Sequence, residues 1–364
     1  MQDHTLIYDR FRGVLLGGAV GDALGWPIEF LTLEQILDRY GAAGLTTYAP
    51  GPDDSVHRHI TDDTQMTLFT AEGLLRTTPG SDPVPVLRQS YLRWLRTQQE
   101  PEPEPIPDGW LAGLPYLHAV RAPGNACMGG LIRQAKQYLP PSPLGVAGPV
   151  NPDSKGCGTV MRSAPFGLAA LGPERAFDTA ARGAQLTHGH PTGYLSAGAF
   201  AALIDRVVGG MDLRTAVRDT IAQVESCPAG AETGAALRKA VAAADAGAAT
   251  AAGVESVGAG WVAEECLAIA VYCALDALRS DDVRGALLLS VNHSGDSDST
   301  GATTGNLLGA CYGLQALPLD WCALVEGRDD LARVADDLVA ALVYGDRVPL
   351  ADRYPLSARD RPPR

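Results

Sequence analysis

The chain has 364 residues, 46% of them hydrophobic and 20% charged, enough apolar material for a large core in one domain or two. Its formal net charge of -13 and pI near 4.9 argue against broad nucleic-acid binding, which needs Lys and Arg against phosphate; a narrow basic pocket for one diphosphate stays open. Seven cysteines, an odd number with no CxxC pair, argue against a disulfide framework or a structural zinc site, and lead us to expect reduced thiols in a soluble, cytoplasmic protein.

The predicted elements are almost all helices, because Ala, Leu, Arg and Glu abound while alternating β-branched and aromatic runs are scarce. Near the start, Arg10 and Arg12 precede the apolar run Gly13 to Gly21, which loosely imitates a signal peptide. The run is short, Gly-rich and followed at once by Asp22, and it fits a tightly packed core helix equally well. No segment approaches the ~20 apolar residues of a membrane span. Next comes Gly21 to Phe30, where Glu29 sits among Trp26, Ile28 and Phe30. Burial there would raise its pKa and suit proton transfer; exposure would make it an ordinary loop acid after Pro27.

His57 and His59 read as polar-loop residues before Thr61-Asp62-Asp63-Thr64-Gln65. Asp62 and Gln65 have the spacing of a capping box at the start of a helix. Capping uses one carboxylate, however, and two adjacent ones need more positive charge than a helix N-terminus supplies. In the helix predicted over 64–76, Met66, Phe69, Gly73 and Leu74 share a face, with Thr67 and Arg76 off it. A second apolar stripe, Val84, Leu87, Tyr91, Leu92 and Leu95, marks 84–96. Further helices are expected over 173–187, 193–208, 212–224, 232–245, 260–278, 281–290, 300–315 and 329–343. Pro/Gly-rich stretches at 99–109, 139–153 and 345–364 punctuate the chain as loops.

Between these helices lie three more candidate sites. Ser154 to Arg162 is a Gly-flanked loop whose backbone N–H groups could cradle a diphosphate, although GxG alone is as often a plain turn. Cys157 is a poor nucleophile candidate, since neither His188 nor His190 is set beside it as a base. Leu186 to Pro191 reads as a helix-ending turn with hydrogen-bonded imidazoles, ahead of a metal site. Finally, Gly295-Asp296-Ser297-Asp298-Ser299 gathers hard oxygens on one loop, as a cap or as ligands. It is not an EF-hand, because the twelfth position falls on Leu307. If the two acidic clusters converge, an oxygen-only set selects Mg²⁺ or Mn²⁺, and four aspartates balance two divalent ions. Such convergence requires distant parts of the sequence to pack together, so one domain over 1–345 with a Pro/Arg-rich tail at 346–364 is expected.

Five blocks in this order closely resemble the ADP-ribosylglycohydrolase family: Gly17 to Glu29 (GGAVGDALGWPIE), Thr61 to Thr64, Gly156 to Arg162 (GCGTVMR), Thr187-His188 with Pro191, and Gly295 to Ser299 (GDSDS). The resemblance covers about residues 10 to 316. It implies a single all-α, orthogonal multi-helix domain with a dinuclear Mg²⁺ or Mn²⁺ centre. It further implies Thr61, Asp62, Asp63, Asp296, Asp298 and Ser299 as metal ligands, Ser299 standing where many relatives carry Thr. Glu29, Asp63 and Asp296 would be catalytic. Gly156, Cys157, Gly158, Thr159 and His188 would surround the diphosphate and distal ribose, with Cys157 in place of a common Asn.

The implied activity is metal-dependent hydrolysis of the bond joining ADP-ribose to a modified target, N-linked arginine on a protein first of all. An O-linked substrate (serine, polymer, nucleic acid or small molecule) is the alternative, and a silent ADP-ribose-binding module a third. The partner expected is an ADP-ribosylated protein or other ADP-ribosylated substrate, with no membrane, no broad nucleic-acid binding and a monomeric chain.

Overall fold

A computed structural model describes residues 4–51, 55–247 and 249–355. Among them the chain is helical throughout its regular structure, with two isolated bridges, Pro50 to Val56 and Gly156 to Val262, in place of strands. The helices pack as one compact unit around a continuous apolar core.

The arrangement that matters most joins the two ends of the sequence. The first helix, His4–Gly25, is buried from Gly13 onward and lies antiparallel against Ser297–Tyr312, the most extensive helix pair among the described residues. Small residues recur every fourth position on both: Gly13, Gly17, Gly21 and Gly25 face Gly309, Gly305, Gly301 and Ser297. A Cβ on Gly21 would fall 2.0 Å from the Gly301 carbonyl oxygen, and one on Gly305 would fall 1.9 Å from that of Gly17. The backbones therefore touch, a separation that only glycine permits and that brings Cα–H groups onto facing carbonyls. Asn306 adds a hydrogen bond from Nδ2 to the Val14 carbonyl at 2.7 Å. The Gly-rich run that imitated a signal sequence is thus the centre of the core. No single described helix is long and apolar enough to cross a membrane, although the bent pair His4–Ile28 and Leu33–Tyr40 passes by length and composition.

Most predicted helices form with shifted ends: Pro173–Ala184, Pro191–Val208, Leu213–Ser226, Ala231–Asp245, Ala263–Ser280 and Val283–Val291. The last predicted helix runs Arg328–Leu338 and then widens into a π turn, Val339–Val343. Four short helices were not anticipated: Leu33–Tyr40, Asn125–Lys136, Ala251–Val257 and Leu319–Leu324, although Leu33, Ile36, Leu37 and Tyr40 carry the helical period in the first.

The helix Asp62–Arg76 departs from expectation more sharply. Every residue in it is buried, including Thr67 and Arg76. Arg76 can be interior because Glu72 accepts from it (3.2 Å), from Arg93 Nε (2.9 Å) and from Ser90 Oγ (2.8 Å), so the charges are paired where water is absent. Arg76 also donates to the carbonyls of Asp108 and Pro355, fastening the Pro-rich 99–109 stretch and the C-terminal segment to this helix. The segment that follows residue 345 packs against the same unit as far as Pro355. Leu350 and Tyr354 are buried, and Arg353 and Tyr354 both bond Asp337. The rest of the expected tail, 356–364, lies outside the described residues.

Candidate active site

The glycine contact brings the C-terminal end of the first helix beside the N-terminal end of Ser297–Tyr312, and Asp62–Arg76 begins next to both. The first acidic cluster is held from behind. Its cap is Thr61, whose side chain accepts the Asp63 N–H at 3.3 Å, and not Asp62. The expected capping box is absent because the Gln65 side chain turns inward to accept from Trp94 Nε1 and Gln98 Nε2, both at 3.0 Å. Asp22, fully buried, gathers the turn: it accepts from Thr61 N (3.0 Å), Thr61 Oγ1 (2.9 Å), Thr64 N (3.2 Å) and Thr64 Oγ1 (2.5 Å). Asp62 then accepts the Gly124 N–H at 3.1 Å, while Asp63 keeps a buried Oδ1 without a partner.

In the second cluster the cap and the site coincide. Asp296 Oδ1 accepts the Ser299 N–H at 3.3 Å, and Asp298 Oδ1 accepts the same group at 2.8 Å. Asp296 Oδ2 accepts the Cys157 thiol at 2.8 Å. Glu29 follows the short 3₁₀ turn Trp26–Ile28 and is drawn inward, its Oε2 buried and unpartnered. One oxygen from each of Glu29, Asp296 and Asp298 lies within 4.8 Å of the others. The next residue, Phe30, has φ +68°, unusual for a bulky side chain, and stacks 5.2 Å from the Trp261 ring at the cleft.

Five carboxylates thus line one cleft of about 550 Å³, together with Ser299, the 122–127 segment, Gly156, Cys157, Gly158, Met161, His188 and Trp261. Burial pushes Asp62, Asp63, Asp296 and Asp298 above the ordinary carboxylate range, and the Asp298 charge adds to this for Asp63 and Asp296. Glu29 is pushed up to about 10, by burial first and then by Asp298, Asp296 and Asp62. Asp22 rises to about 7 for the same two reasons, burial and Asp298. No Lys or Arg among the described residues is paired with the five. Such a set calls for cations from outside the chain.

The opposite wall carries no charge at its surface. Cys157 N–H donates to the Trp261 carbonyl at 3.1 Å, holding the Gly156–Gly158 loop against the segment before Ala263. A Cβ on Gly158 would lie 2.8 Å from Cys127 Sγ and 3.1 Å from His188 Cε1, so a side chain at 158 would displace its neighbours. That loop runs through a single 3₁₀ turn, Cys157–Thr159, ahead of the four-residue helix Ala164–Gly167. His188 is buried and lowered to about 3, by desolvation and then by Arg162. Arg162 donates to Thr187 Oγ1 at 2.7 Å, and that hydroxyl lies 2.8 Å from His188 Nδ1 and 3.3 Å from the Ala184 carbonyl. Thr187 Oγ1 donates to the Ala184 carbonyl or to Nδ1, and the imidazole adopts the matching tautomer. His188 is thereby a neutral imidazole.

Two candidate residues stand back from the cleft. Thr61 is turned toward Asp22, and Thr159 Oγ1 donates to the Gly193 carbonyl at 2.9 Å. His190 caps Pro191–Val208 by accepting the Thr192 N–H, and His57 packs edge-on against Trp26, consistent with their reading as turn and loop residues. Sequence reasoning did not select Asp22, Arg162, Trp261 or the 122–127 segment. For Asp22 a signal existed: one acid inside an otherwise apolar glycine run.

Comparison with known proteins places this geometry. Residues 3–347 match the ADP-ribosylglycohydrolase family, and the chain belongs to it; it is a hydrolase of glycosidic bonds. It is 25% identical over 343 residues to the ADP-ribosyl-[dinitrogen reductase] glycohydrolase of Rhodospirillum rubrum, covering 92% of this chain and 97% of that one. It is 23% identical to the ADP-ribosylarginine hydrolase Tri1 of Pseudomonas putida (93% and 82% covered) and 24% identical to the ADP-ribosylhydrolase ARH3 of Danio rerio (92% and 92%). A solved structure titled as an ADP-ribosylglycohydrolase-related protein complex superposes with TM-score 0.63 at 26% identity, covering 92% of this chain and 98% of its own.

Proposed function

We propose that the protein hydrolyses the bond between ADP-ribose and arginine on a modified protein, with two divalent cations, Mg²⁺ or Mn²⁺, held in the acidic cleft. The observation that carries the metal-dependent reading is the convergence of Glu29, Asp62, Asp63, Asp296 and Asp298 without a cationic side chain. The donor set fits hard cations: all oxygens, with the buried Oδ1 of Asp63 and Oε2 of Glu29 lacking any other partner. Asp62, Asp63, Asp296, Asp298 and Ser299 would be the ligands, with Thr61 able to join them by its hydroxyl. The bound ions would polarise a water and fix the ribose hydroxyls.

The chain's own groups complete the chemistry. Glu29 holds its proton in this surrounding and can release it from Oε2 to the departing atom of the target. Asp63 would bind the cation through Oδ1 and take the proton of the attacking water through its other oxygen, Oδ2. His188 offers a neutral imidazole to a phosphate or ribose oxygen, and the glycines at 156 and 158 would let a diphosphate approach the loop. Arginine as the attachment residue is supported by the likeness to the Tri1 relatives, which are ADP-ribosylarginine hydrolases. Similar identity to ARH3 keeps the O-linked reading next to it.

The buried, unpaired thiols support a reducing, cytoplasmic setting. Purified protein with Mg²⁺ or Mn²⁺ should release ADP-ribose from an arginine-linked protein faster than from serine-linked or nucleotide-linked substrates, and chelation should abolish release. Equal rates after exhaustive chelation would sink the metal-dependent reading, and preference for a serine linkage would sink the arginine assignment.

A further inference from the structure

Two thiols line the cleft and neither is used by the proposed reaction: Cys127 is engaged by Arg162 and the Gly158 carbonyl, whereas Cys157 meets the acidic cluster. Cys157 lines the cleft on the 3₁₀ turn Cys157–Thr159. Its Sγ stands 2.8 Å from Asp296 Oδ2 and 3.5 Å from Ser299 Oγ. The backbone beneath it is pinned: its N–H donates to the Trp261 carbonyl at 3.1 Å, and its carbonyl accepts from Val160 N at 2.8 Å and Met161 N at 3.2 Å.

These separations have a meaning in coordination chemistry. An oxygen ligand at ~2.1 Å and a sulfur ligand at ~2.3 Å, set at right angles on one cation, stand roughly 3 Å apart. The distances from Sγ to Asp296 and to Ser299 bracket that value. A second observation points to a ligand in the same place. Asp63, 3% exposed, lines the cleft that Cys157 also lines, and its Oδ1 is buried without a partner. A cation drawn in by Asp63 and Asp296 comes within reach of the sulfur.

We propose that Cys157 is an additional ligand of the metal centre, binding through Sγ beside Asp296 and Ser299, and that it turns this chain's preference toward thiophilic divalent ions. The inference rests on the metal-dependent reading of the cleft. Formation of the metal–sulfur bond releases the thiol proton to solvent, with no change of oxidation state. An oxygen-only cleft favours Mg²⁺, whereas a thiolate adds affinity for Co²⁺, Zn²⁺ and Cd²⁺. Use of the same thiol as a nucleophile finds no support, since its nearest partner is a carboxylate and the His188 Nδ1 is already engaged by Thr187.

A second thiol supplies the control. Cys266 lies under the same helix, with Sγ 3.4 Å from the Ser299 carbonyl and 3.3 Å from Thr303 Oγ1, and does not line the cleft.

The test is to load the metal-free full-length protein with Co²⁺ and record its absorption. Wild type and Cys266→Ser should show the near-ultraviolet charge-transfer band of a cobalt–thiolate bond. Cys157→Ser should lose that band and keep the weaker visible bands; Cys157→Ala serves equally if the serine variant does not fold. In competition titrations the Cys157 variant should lose at least about tenfold in Cd²⁺ affinity while Mg²⁺ affinity stays within about threefold. A wild-type Co²⁺ complex with visible bands but no charge-transfer band overturns the inference and leaves the metal-dependent reading standing. An unchanged ratio of Cd²⁺ to Mg²⁺ affinity does the same. Failure of wild type to take up Co²⁺ at all overturns both.

Discussion

The two acidic halves of the cleft are built differently. In the first, the side chains that face the cleft and those that hold the turn are separate: Thr61 caps the helix, Asp22 binds Thr61 and Thr64, and Asp62 and Asp63 are left to the cleft. In the second, Asp296 does both tasks, capping Ser297–Tyr312 through the Ser299 N–H while its other oxygen meets Cys157. The difference teaches that chemistry and stability can be separated in the first half and not in the second. The glycine-to-glycine contact of the two longer helices is what holds the halves in register.

The largest expected effect comes from the cleft carboxylates themselves. Asp63→Ala and Asp296→Ala should each lower kcat/KM by on the order of 10³-fold. Thermal denaturation of the same metal-free proteins then sharpens the contrast. Asp296→Ala loses a helix cap and should be less stable than Asp63→Ala by about 1 kcal/mol. Equal stabilities would erase the distinction between the halves.

Next in size is the seam between them. Gly305→Ala puts a methyl group 1.9 Å from the Gly17 carbonyl oxygen and should cost about 3 kcal/mol of stability through forced separation of the helices. Calorimetry checks this, and a near-neutral result would show the seam to be compliant. A smaller effect is expected behind the first half. Asp22→Ala should weaken Mn²⁺ binding about 10- to 100-fold, with Asp22→Asn intermediate because one acceptor oxygen remains. Titration of Mn²⁺ by calorimetry gives the answer; wild-type affinity in the alanine variant would remove Asp22 from the positioning role.

The smallest effect is a slope. Carboxylates whose folded pKa lies above the unfolded one bind protons more tightly when folded, so the stability they contribute is present below about pH 4 and fades as pH rises through the raised values. Asp22 reaches about 7 and Glu29 about 10, which sets the window. The gain in Tm on adding Mg²⁺ or Mn²⁺ should therefore grow steadily from about pH 5 to pH 9, because the ions bind the deprotonated set. A gain independent of pH would contradict the charge crowding.

Much of this was legible in the sequence, and the reasons are local. Thr61-Asp62-Asp63 and Asp296-Ser297-Asp298 stand out because adjacent carboxylates at helix starts are more than a cap requires. Gly156 and Gly158 were visible as a close-packing loop. What stayed hidden depended on neighbours far along the chain. The inward turn of Gln65, which defeats the expected capping box, is decided by Trp94 and Gln98. The burial of Arg76 is decided by Glu72 together with Asp108 and Pro355. No periodicity within a single window records such partners.

The sequence by itself determined the helical class, the positions of most helices and the chemistry of the acidic set, since propensity, apolar period and residue type act over a few neighbouring positions. The tertiary structure alone decided that Asp63 and Asp296 share a cleft, that Asp22 is a brace, and that Cys157 meets Asp296. Those outcomes follow from backbone contact between Gly17 and Gly305, 288 positions apart (305 − 17). The absence of a side chain could be read in either run, but only packing shows what fills the space.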